Sequence, residues 1–446
     1  MPAESGYAAF LRDLPPDWPS APIAEVARVV GGGTPSRDVG QFWNGSIPWV
    51  TPGEISAETA VSLNDTREHI SPAGLVGSGA TLLPAGSLMI TTRATLGARA
   101  INLVPMTTNQ GFKSLVFPDS EDSQFFYYLT EKLKPELKRR ASGTTFLEVS
   151  GGELARIRVP VPPKGERTQI AMVLDTLDTT IRQTEAIIDK LKQIKQGLLH
   201  DLLTRGIADN GELRPPQSEA PHLYKESALG WIPIRWDVCG VLDIAPADRQ
   251  CILTGPFGAQ LGQADFISEG VPVLRIGNVQ AGYIDWTDTQ FVSYAKAARL
   301  DRFSVLSGDL LFARQGATTG RNALADDRSN GALINYHLIR VAVDRRRCEP
   351  TFLHAAFNSH HSRGQVDQEK GRGTREGINS KQIAALRFVL PPIGEQITIV
   401  ARVEALGGIM AQEVLLAAKQ RTLKSGLMDD LLTGRVRVGA LQGAQN

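Results

Sequence analysis

The fold of this chain is decided by a stretch that occurs twice. It reads PPKGERTQIAMVLDTLDTTIRQTEAIIDKLKQIKQGLLHDLLT at 162–204 and PPIGEQITIVARVEALGGIMAQEVLLAAKQRTLKSGLMDDLLT at 391–433, and the two copies align without a gap. Their spacing is far longer than the roughly 20–50 residues of a solenoid repeat, so the duplicated unit is a domain together with its trailing segment. The function must therefore suit a protein with two similar ends.

Each copy predicts one long helix. Between Glu166 and Thr204 there is no proline and only one glycine, and a helix of about 39 residues would be roughly 58 Å long at about 1.5 Å per residue. Apolar residues recur at alternating spacings of four and three, which is the heptad pattern of paired helices. We predict two antiparallel helices whose seam is formed by Ile170, Leu174, Leu177, Ile181, Ile188, Leu191, Leu198 and Leu202 in the first and Ile399, Val403, Leu406, Met410, Leu427 and Leu431 in the second.

Polar residues interrupt the predicted seam. Lys195 and Lys424 occupy the same position of the repeat, and Glu413 and Gln420 weaken the middle of the second copy. A polar seam residue commonly fixes register and partner at some cost in stability. A solvated break at which the helices splay is the alternative. In either case we expect the second helix to need the first.

The composition is that of an ordinary globular protein. The chain has 446 residues, 42% of them hydrophobic, and a formal net charge of +1. This length predicts two to four domains, each with its own core. Because the total charge is near zero, a role in nucleic-acid binding would require basic residues concentrated on one face.

Cysteine usage and hydropathy predict the compartment. Cys239, Cys251 and Cys348 all lie in the second half, with no repeated Cys/His spacing. We therefore expect neither a metal site nor a disulfide framework, and the pattern is typical of a reducing cytosol. No run of 18 apolar residues occurs, so we expect a cytoplasmic protein with no membrane contact.

The blocks that precede the helices also correspond. Ile47-Pro48 matches Val271-Pro272 and Gly143-Thr144 matches Gly373-Thr374, but the spacing drifts between such matches. We predict an α+β chain with pseudo-two-fold duplication, in which two similar α/β domains are separated by two long antiparallel coiled-coil helices. The predicted boundaries are 1–161 for the first globular domain, 162–205 for the first helix, 206–230 for a linker, 231–390 for the second globular domain, 391–434 for the second helix and 435–446 for a tail.

This layout resembles the specificity subunit of type I restriction-modification systems, in which two variable target-recognition domains alternate with two similar long helices. One departure is that the family usually has Glu-Gln after its prolines, as in Glu395-Gln396, whereas the first copy has Glu166-Arg167. The matching stretches are GGTPSR at 32–37, IPWV at 47–50, TTRATLG at 91–97, TNQGF at 108–112, VPVLRIGN at 271–278 and GDLLFARQG at 308–316.

The resemblance implies a DNA-recognition subunit that performs no chemistry. Each domain would read a different half-site of double-stranded DNA, and the gap between the half-sites would not be read. Two methyltransferase (M) subunits would bind around the helices, and restriction/motor (R) subunits would join them. S-adenosylmethionine is expected on the methyltransferase partner, and no cofactor is expected on this chain.

Two sets of residues are candidates for DNA binding. For phosphates we name the basic residues around the shared Gly-Thr pair, since Lys and Arg supply salt-dependent affinity. These are Lys138, Arg139, Arg140 and Thr144, with Lys370, Arg372, Thr374 and Arg375. For base edges, Arg commonly reads guanine and Asn or Gln reads adenine, which selects Arg93, Asn109, Gln110, Arg275, Asn278, Arg314 and Gln315. The alternatives are a solvated helix end for the first set and a structural salt bridge or turn cap for the second.

The sequence gives weaker support for an enzyme. Gly31-Gly32-Gly33-Thr34 lacks the Gly-Lys-Ser/Thr of a phosphate-binding loop. Asp119, Glu136 and Lys138 superficially fit a nuclease pattern, but Glu136 lies in a helical stretch, whereas nuclease carboxylates normally lie on adjacent strands. A non-enzymatic rival remains, namely a coiled-coil scaffold whose globular ends bind proteins rather than DNA.

Overall fold

The computed structural model describes residues 6–55, 61–143, 147–370 and 377–439. The chain divides into two compact units. Unit 1 consists of Met1–Ala186 and Val414–Asn446, and unit 2 is Ile187–Glu413. Both long helices cross these boundaries, so each unit contains one end of each helix.

Unit 1 is built on a five-stranded sheet. Its strands are β1 (Ser20–Pro22), β2 (Arg28–Gly31), β3 (Trp43–Val50), β4 (Ser62–Leu63), β5 (His69–Ile70), β6 (Leu88–Thr91), β7 (Arg99–Asn102), β8 (Thr107–Thr108), β9 (Phe112–Val116) and β10 (Arg158–Pro160). Its helices are α1 (Gly6–Arg12), α2 (Ile23–Val26), α3 (Pro72–Val76), α4 (Asp122–Arg140), α5 (Gly151–Arg156) and the first part of α6 (Lys164–Thr204). The large sheet has the order β2-β9-β6-β7-β4, beside a three-stranded sheet β5-β3-β8 and the pair β1-β10.

The core of unit 1 forms between α4 and the large sheet. Phe125, Leu129 and Leu133 recur at intervals of four along α4 and therefore share one face of the helix. They are buried in one cluster with Leu88 of β6 and Leu115 of β9.

Unit 2 repeats this architecture with two four-stranded sheets. Its strands are β11 (Tyr224–Ser227), β12 (Gly230–Pro233), β13 (Asp237–Gly240), β14 (Ile252–Thr254), β15 (Phe266–Ile267), β16 (Val271–Leu274), β17 (Gln290–Val292), β18 (Leu310–Ala313), β19 (Asn322–Leu324), β20 (Leu333–Ile334), β21 (Leu338–Val341) and β22 (Arg387–Leu390). Its helices are α7 (Tyr294–Arg299), α8 (Pro350–Phe357), α9 (His360–Lys370), α10 (Ser380–Ala385) and the first part of α11 (Ile393–Leu432), together with the end of α6.

The two units share one strand topology. The order β2-β9-β6-β7 recurs as β14-β21-β18-β19, and the pair β1-β10 recurs as β13-β22. The parallel pairing of Trp49 with Thr107 also recurs, as that of Val273 with Leu333. The duplication that the helices predict therefore extends through the globular parts, although little of the sequence there is repeated.

The two long helices have nearly equal lengths, 41 residues for α6 and 40 for α11. In unit 1, Asp178 pairs with Lys424 and Glu185 with Arg421, so an earlier residue of α6 meets a later residue of α11 and the helices run antiparallel. All the predicted seam residues are buried or half-buried. The fully or almost fully buried ones are Ile170, Leu174, Ile181, Ile188, Leu202, Ile399 and Leu431.

The two seam lysines have different surroundings. Lys424 pairs with Asp178, whose carboxylate also accepts a hydrogen bond of 2.9 Å from the Tyr128 hydroxyl. The position of the repeat that matches Asp178 is Gly407, and a Cβ placed there would lie 3.7 Å from the Lys195 Nζ. Within the described residues no carboxylate pairs with Lys195. The seam lysine thus has a carboxylate partner in unit 1, whereas the described residues of unit 2 provide none.

A buried carboxylate at the start of α11 joins three segments of unit 2. Glu395 accepts hydrogen bonds from the Trp236 indole (3.0 Å), from Arg214 Nη2 (3.0 Å) and from the Ile207 amide (2.8 Å). Arg214 follows the end of α6, so one carboxylate connects that end to the beginning of α11. We call Arg214, Trp236 and Glu395 the unit 2 clip.

The same three residue types form a clip in unit 1. Glu166, in the first turn of α6, accepts from the Trp18 indole (3.0 Å) and from Arg437 (2.6 and 2.7 Å), which follows the end of α11. Arg437 also binds Asp17 through two hydrogen bonds of 2.9 and 2.8 Å. The Arg437 side chain is 39% exposed, whereas that of Arg214 is 9% exposed.

A glycine lets the chain turn under each clip. Gly206 and Gly434 follow the ends of α6 and α11 with φ of +64° and +69°, a conformation that favours glycine. A Cβ on Gly206 would lie 2.3 Å from the Trp236 ring and from a Glu395 oxygen, so no other residue fits there without a shift.

The residue after each clip glutamate points into its own unit. Arg167 donates two hydrogen bonds of 2.8 Å to Asp122, the first residue of α4. Gln396, at the matching position, accepts from the Glu349 amide (2.9 Å), and Glu349 caps α8. The departure from Glu-Gln at 166–167 is therefore compensated by a different internal contact to the corresponding helix.

We expect Gly407→Asp to raise the free energy of unfolding by about 1 kcal/mol more than Gly408→Asp. Both changes replace a helical glycine and gain similar helix propensity, but only a side chain at 407 faces the half-buried Lys195. Urea unfolding of the full chain measures the difference. Equal stabilisation by the two variants would show that position 407 and Lys195 do not interact.

Removal of the clip arginine should cost more in unit 2 than in unit 1. We expect Arg214→Ala to lower the free energy of unfolding by about 3 kcal/mol, because it leaves the buried Glu395 carboxylate with one partner fewer. Arg437→Ala should cost about 1 kcal/mol, since the more exposed Glu166 pair is screened by water. Thermal unfolding of both variants checks the order, and a reversed order would contradict this account of the clips.

Candidate nucleic-acid interface

Three loops converge at one face of unit 1. They are residues 32–37 after β2, residues 92–98 between β6 and β7, and residues 109–111 between β8 and β9. The Gly33 amide donates to the Thr108 carbonyl (2.9 Å), and the Thr92 amide donates to the Gly111 carbonyl (2.8 Å). Backbone hydrogen bonds therefore join the loops, and side chains at their tips are free to vary.

The corresponding loops converge in unit 2. They are residues 255–262 after β14, residues 314–321 between β18 and β19, and residues 335–337 between β20 and β21. The Arg314 amide donates to the His337 carbonyl (3.1 Å). A glycine permits the close approach in both units: a Cβ on Gly32 would lie 1.9 Å from the Asn109 carbonyl oxygen, and one on Gly255 would lie 2.1 Å from that of Asn335.

The side chains on the unit 1 face are polar. The Thr34 hydroxyl donates to the exposed Gln110 side chain. Asn109 caps its own loop, because its side-chain oxygen accepts from the Gly111 amide (2.9 Å). Arg93 lies 3.9 Å from Glu148 and keeps 43% of its side chain exposed. Gln110 and Arg93 thus present hydrogen-bonding groups to solvent, whereas Asn109 acts within the loop.

The unit 2 face is aromatic and basic. Phe257 is 60% exposed, its ring centroid lies 6.2 Å from that of Tyr336, and the Arg314 guanidinium lies 5.9 Å from the Phe257 ring. Gln315 forms a hydrogen bond of 2.7 Å with His337. Exposed aromatic rings beside a guanidinium suit contact with nucleotides, which offer flat apolar faces and anionic phosphates.

The charge of this face is fixed at neutral pH. Burial lowers the pKa of Arg314 below its usual range, and the guanidinium remains a cation at pH 7. Burial and the nearby Arg314 also lower the pKa of His337 below its usual 6.5, so this imidazole is neutral at pH 7. The unit 2 face therefore carries its positive charge on arginine rather than on histidine.

Described residues that follow the two Gly-Thr pairs in the sequence contact the same two faces. The Val149 amide donates to the Thr92 carbonyl (2.9 Å), and the Ile378 amide donates to the Arg314 carbonyl (2.8 Å). The residues just after each predicted phosphate-binding segment thus pair with a loop of the face. Thr144, Arg372, Thr374 and Arg375, as well as the side chain of Lys370, lie outside the described residues.

Two predicted base readers hold a turn instead. Asn278 is 3% exposed, accepts from the Arg275 amide (2.8 Å) and donates to the Asp285 carbonyl (2.8 Å). Arg275 donates to the Asp288 carbonyl (2.7 Å). These residues line a cleft of about 590 Å³ beside Tyr336 and His337. The turn-cap alternative accounts for Asn278, and we no longer propose it as a base reader.

The basic end of α4 is partly structural. Glu136, which is buried, pairs with Arg139 and Arg140, and Arg140 pairs also with Glu153 (2.9 Å). Arg139 and Arg140 hold the pKa of the Glu136 carboxyl below its usual value, which keeps it ionised. Lys138 is exposed and has no ion pair within the described residues. Lys138 therefore remains a phosphate candidate, whereas Arg140 forms salt bridges with Glu136 and Glu153.

Sequence reasoning missed Phe257, Tyr336 and His337. Asn335-Tyr336-His337 occupies the place of Asn109-Gln110-Gly111 between matching strands. The side chains share nothing beyond the asparagine, so only the matching fold reveals the correspondence.

Burial and ion pairs account for two of the cysteine thiols and for the carboxylates of the nuclease-like pattern. Burial raises the pKa of Cys239 to about 12 and that of Cys251 to about 11, so both thiols stay protonated. The described part of the chain contains no group of three or more His, Cys, Asp or Glu arranged to hold a metal ion. Of the residues in the nuclease pattern, Asp119 pairs with Lys164 and Glu136 with two arginines. No helix among the described residues is long and apolar enough to cross a membrane.

The chain has a duplicated α+β fold and two long helices, and its matching loop faces carry unlike side chains. These features define a class of two-domain recognition proteins. Residues 15–193 match a family model described as the type I restriction modification DNA specificity domain. The MjaIX specificity subunit of Methanocaldococcus jannaschii is 30% identical over 273 residues, which are 60% of each chain. The MjaVIII specificity subunit of the same organism is 21% identical, with 95% of this chain and 94% of the relative covered.

The solved structures agree on the fold. The S subunit of a type I restriction-modification system from M. genitalium matches with a TM-score of 0.55 at 13% identity, over 93% of this chain and 96% of that one. A chain from a structure on complex assembly in the type I system matches with a TM-score of 0.56 at 15% identity, over 95% and 99%. Over nearly its whole length the chain is thus similar to type I restriction-modification specificity subunits, and residues 15–193 match the DNA specificity domain of that family.

Two substitutions at the end of α4 distinguish a residue that binds phosphate from one that stabilises the fold. We expect Lys138→Ala to leave stability unchanged and to reduce the slope of log affinity against log salt for a random duplex by about 1. Arg140→Ala should instead lower the thermal midpoint, because it leaves Glu136 and Glu153 with fewer partners. Fluorescence anisotropy at several salt concentrations, with thermal unfolding alongside, gives both readouts. A salt slope unchanged in Lys138→Ala would remove Lys138 from the interface.

Proposed function

We propose that this chain is the sequence-specific DNA-binding subunit of a type I restriction-modification complex and that it reads a bipartite target with one half-site per recognition domain. The observation that carries the proposal is the pair of faces described above. The same loops meet at the same place in two copies of one fold, but they present different side chains. Such an arrangement suits two recognition domains that read two unlike sequences.

The chemistry of the faces supports duplex binding. In unit 1, Gln110 and Arg93 offer the hydrogen-bonding groups that read adenine and guanine edges. In unit 2, Arg314 and Gln315 offer the same groups beside two exposed aromatic rings. The exposed lysine at the end of α4 supplies charge for the phosphate backbone. The proposed domains keep the boundaries 1–161 and 231–390, with helices at 162–205 and 391–434.

The long helices would set the separation of the half-sites. Both copies keep the same length without insertion, whereas the globular parts vary in length. Two half-sites read from one side of a duplex lie about 10–10.5 bp apart or a multiple of that distance. We therefore propose that the helix pair fixes an unread gap between the two half-sites.

The chain itself is proposed to be non-catalytic and to act in the cytoplasm. Two methyltransferase subunits, with S-adenosylmethionine bound to them, would modify the target that this chain selects, and restriction/motor subunits would join the complex. The seam of α6 and α11 is the proposed framework for these partners.

Modification mapping tests the proposal directly. The chain is co-expressed with the methyltransferase subunit encoded beside it, and modified bases are mapped genome-wide by single-molecule sequencing. We expect one two-part motif with a fixed unread gap. An assembled complex that modifies no DNA, although S-adenosylmethionine is present, would favour the protein-binding scaffold instead.

Variants assign the half-sites to the units. We expect the double change Phe257→Ala and Tyr336→Ala to reduce modification by about tenfold or more and to relax sequence choice only in the half-site of unit 2. Gln110→Ala should relax only the other half-site, by about 1–3 kcal/mol of discrimination. The same sequencing assay reads both effects, and loss of preference in both half-sites from one variant would contradict independent reading.

A further inference from the structure

Unit 2 contains an apolar groove that no described residue of that unit fills. The groove has a volume of about 810 Å³. Leu199 and Leu203 at the end of α6 line one side, Ala356 of α8 and Phe388 of β22 line the floor, and Trp231 of β12 lines the other side. The Trp231 side chain is 51% exposed, which is unusual for so large an apolar group and commonly marks a binding surface.

The matching place in unit 1 is occupied. The corresponding elements are the end of α11, the helix α4 and the strand β10. Helix α1 packs there: Tyr7 is 7% exposed, donates to the Arg158 carbonyl of β10 (2.8 Å) and shares a buried cluster with Leu133 of α4 and Leu432 of α11. Phe10, Leu11 and Leu14 are partly buried and pack against this cluster. A short amphipathic helix thus completes the core of unit 1.

The duplication explains why unit 2 lacks this helix. Residues 6–14 precede Pro15 and Trp18, and their counterparts precede Pro233 and Trp236. In unit 2 that preceding segment forms the hairpin β11-β12, and Trp231 and Ile232 of this hairpin form one wall of the groove. The carbonyl of Arg387, which matches Arg158, is already bound by Gln365 (2.8 Å). An occupant of the groove therefore needs apolar side chains and no hydroxyl group.

We propose that this groove binds a short amphipathic helix of a methyltransferase subunit, with aromatic and leucine side chains spaced as in α1. The proposal rests on the proposed function, which supplies that partner. A second copy of this chain is a poorer occupant, because its own α1 is buried in its unit 1 and would have to leave that core. The rim of the groove carries polar groups from Gln196, His200, Ser359 and Arg363, which suits a helix with one polar face.

Affinity measurements with matched variants test the groove. The full chain is titrated with the methyltransferase subunit encoded beside it, and the dissociation constant is measured. We expect Trp231→Ala to weaken binding about tenfold or more, since a tryptophan in an apolar pocket is a typical interface anchor. Leu242→Ala removes an apolar side chain that is 60% exposed and lies outside the groove, and it should leave affinity unchanged. Equal thermal midpoints of the two variants exclude unfolding as the cause.

A photo-crosslinker identifies the occupant. p-Benzoylphenylalanine at position 199 should react with an apolar helix of the methyltransferase subunit, and the same group at position 242 should not. Crosslinks to a second copy of this chain, or unchanged affinity in Trp231→Ala, would overturn the groove proposal while modification of a bipartite motif still upheld the proposed function. No binding of the methyltransferase subunit by the unaltered chain would overturn both.

Discussion

The clip at each helix end is the interaction on which the arrangement of each unit depends. A carboxylate in the first turn of a long helix is favoured by the helix dipole, but Glu166 and Glu395 do more than cap a helix. Each binds the indole of a buried tryptophan and an arginine that follows the end of the other helix. Removal of this carboxylate would leave an arginine and an indole with one partner fewer, and the loss should cost most in unit 2, where the Arg214 side chain is 9% exposed.

The clips and sheets leave the loop tips free to diverge. The loops of each face are joined by backbone hydrogen bonds and by a glycine at the point of closest approach, Gly32 in unit 1 and Gly255 in unit 2. These contacts do not depend on the side chains at the tips. Gln110 and Tyr336 can therefore occupy matching loops with unrelated chemistry, and a single scaffold can support two recognition surfaces.

The two units differ at several matching positions of the duplication. Asp178 satisfies Lys424 in unit 1, whereas the matching position beside Lys195 is Gly407. Helix α1 completes the core of unit 1, whereas a hairpin replaces it in unit 2 and leaves a groove. Arg167 and Gln396 reach the corresponding helix by different contacts. The third difference is compensated by a new contact, whereas the first two leave unit 2 with a lysine that has no carboxylate partner among the described residues and with an open groove.

The sequence by itself determined the duplicated layout, the two long helices and their family. These follow from local properties: the heptad spacing of Ile170, Leu174 and their successors, the absence of proline, and motifs that lie close together in the chain. From their chemistry and motifs it also predicted Arg93, Gln110, Arg314 and Gln315 as base readers. Tertiary structure alone decided which polar residues face solvent. Asn278 and Arg140 have suitable chemistry for DNA, but Asn278 is buried in a turn and Arg140 pairs with Glu136 and Glu153. Phe257 and Tyr336 gave no sequence signal, since they are separated by many residues and meet only when β14 and β20 bring their loops together. The clip arginines Arg214 and Arg437 were missed for the same reason: a pairing across 181 or 271 residues is set by packing and leaves no periodic pattern.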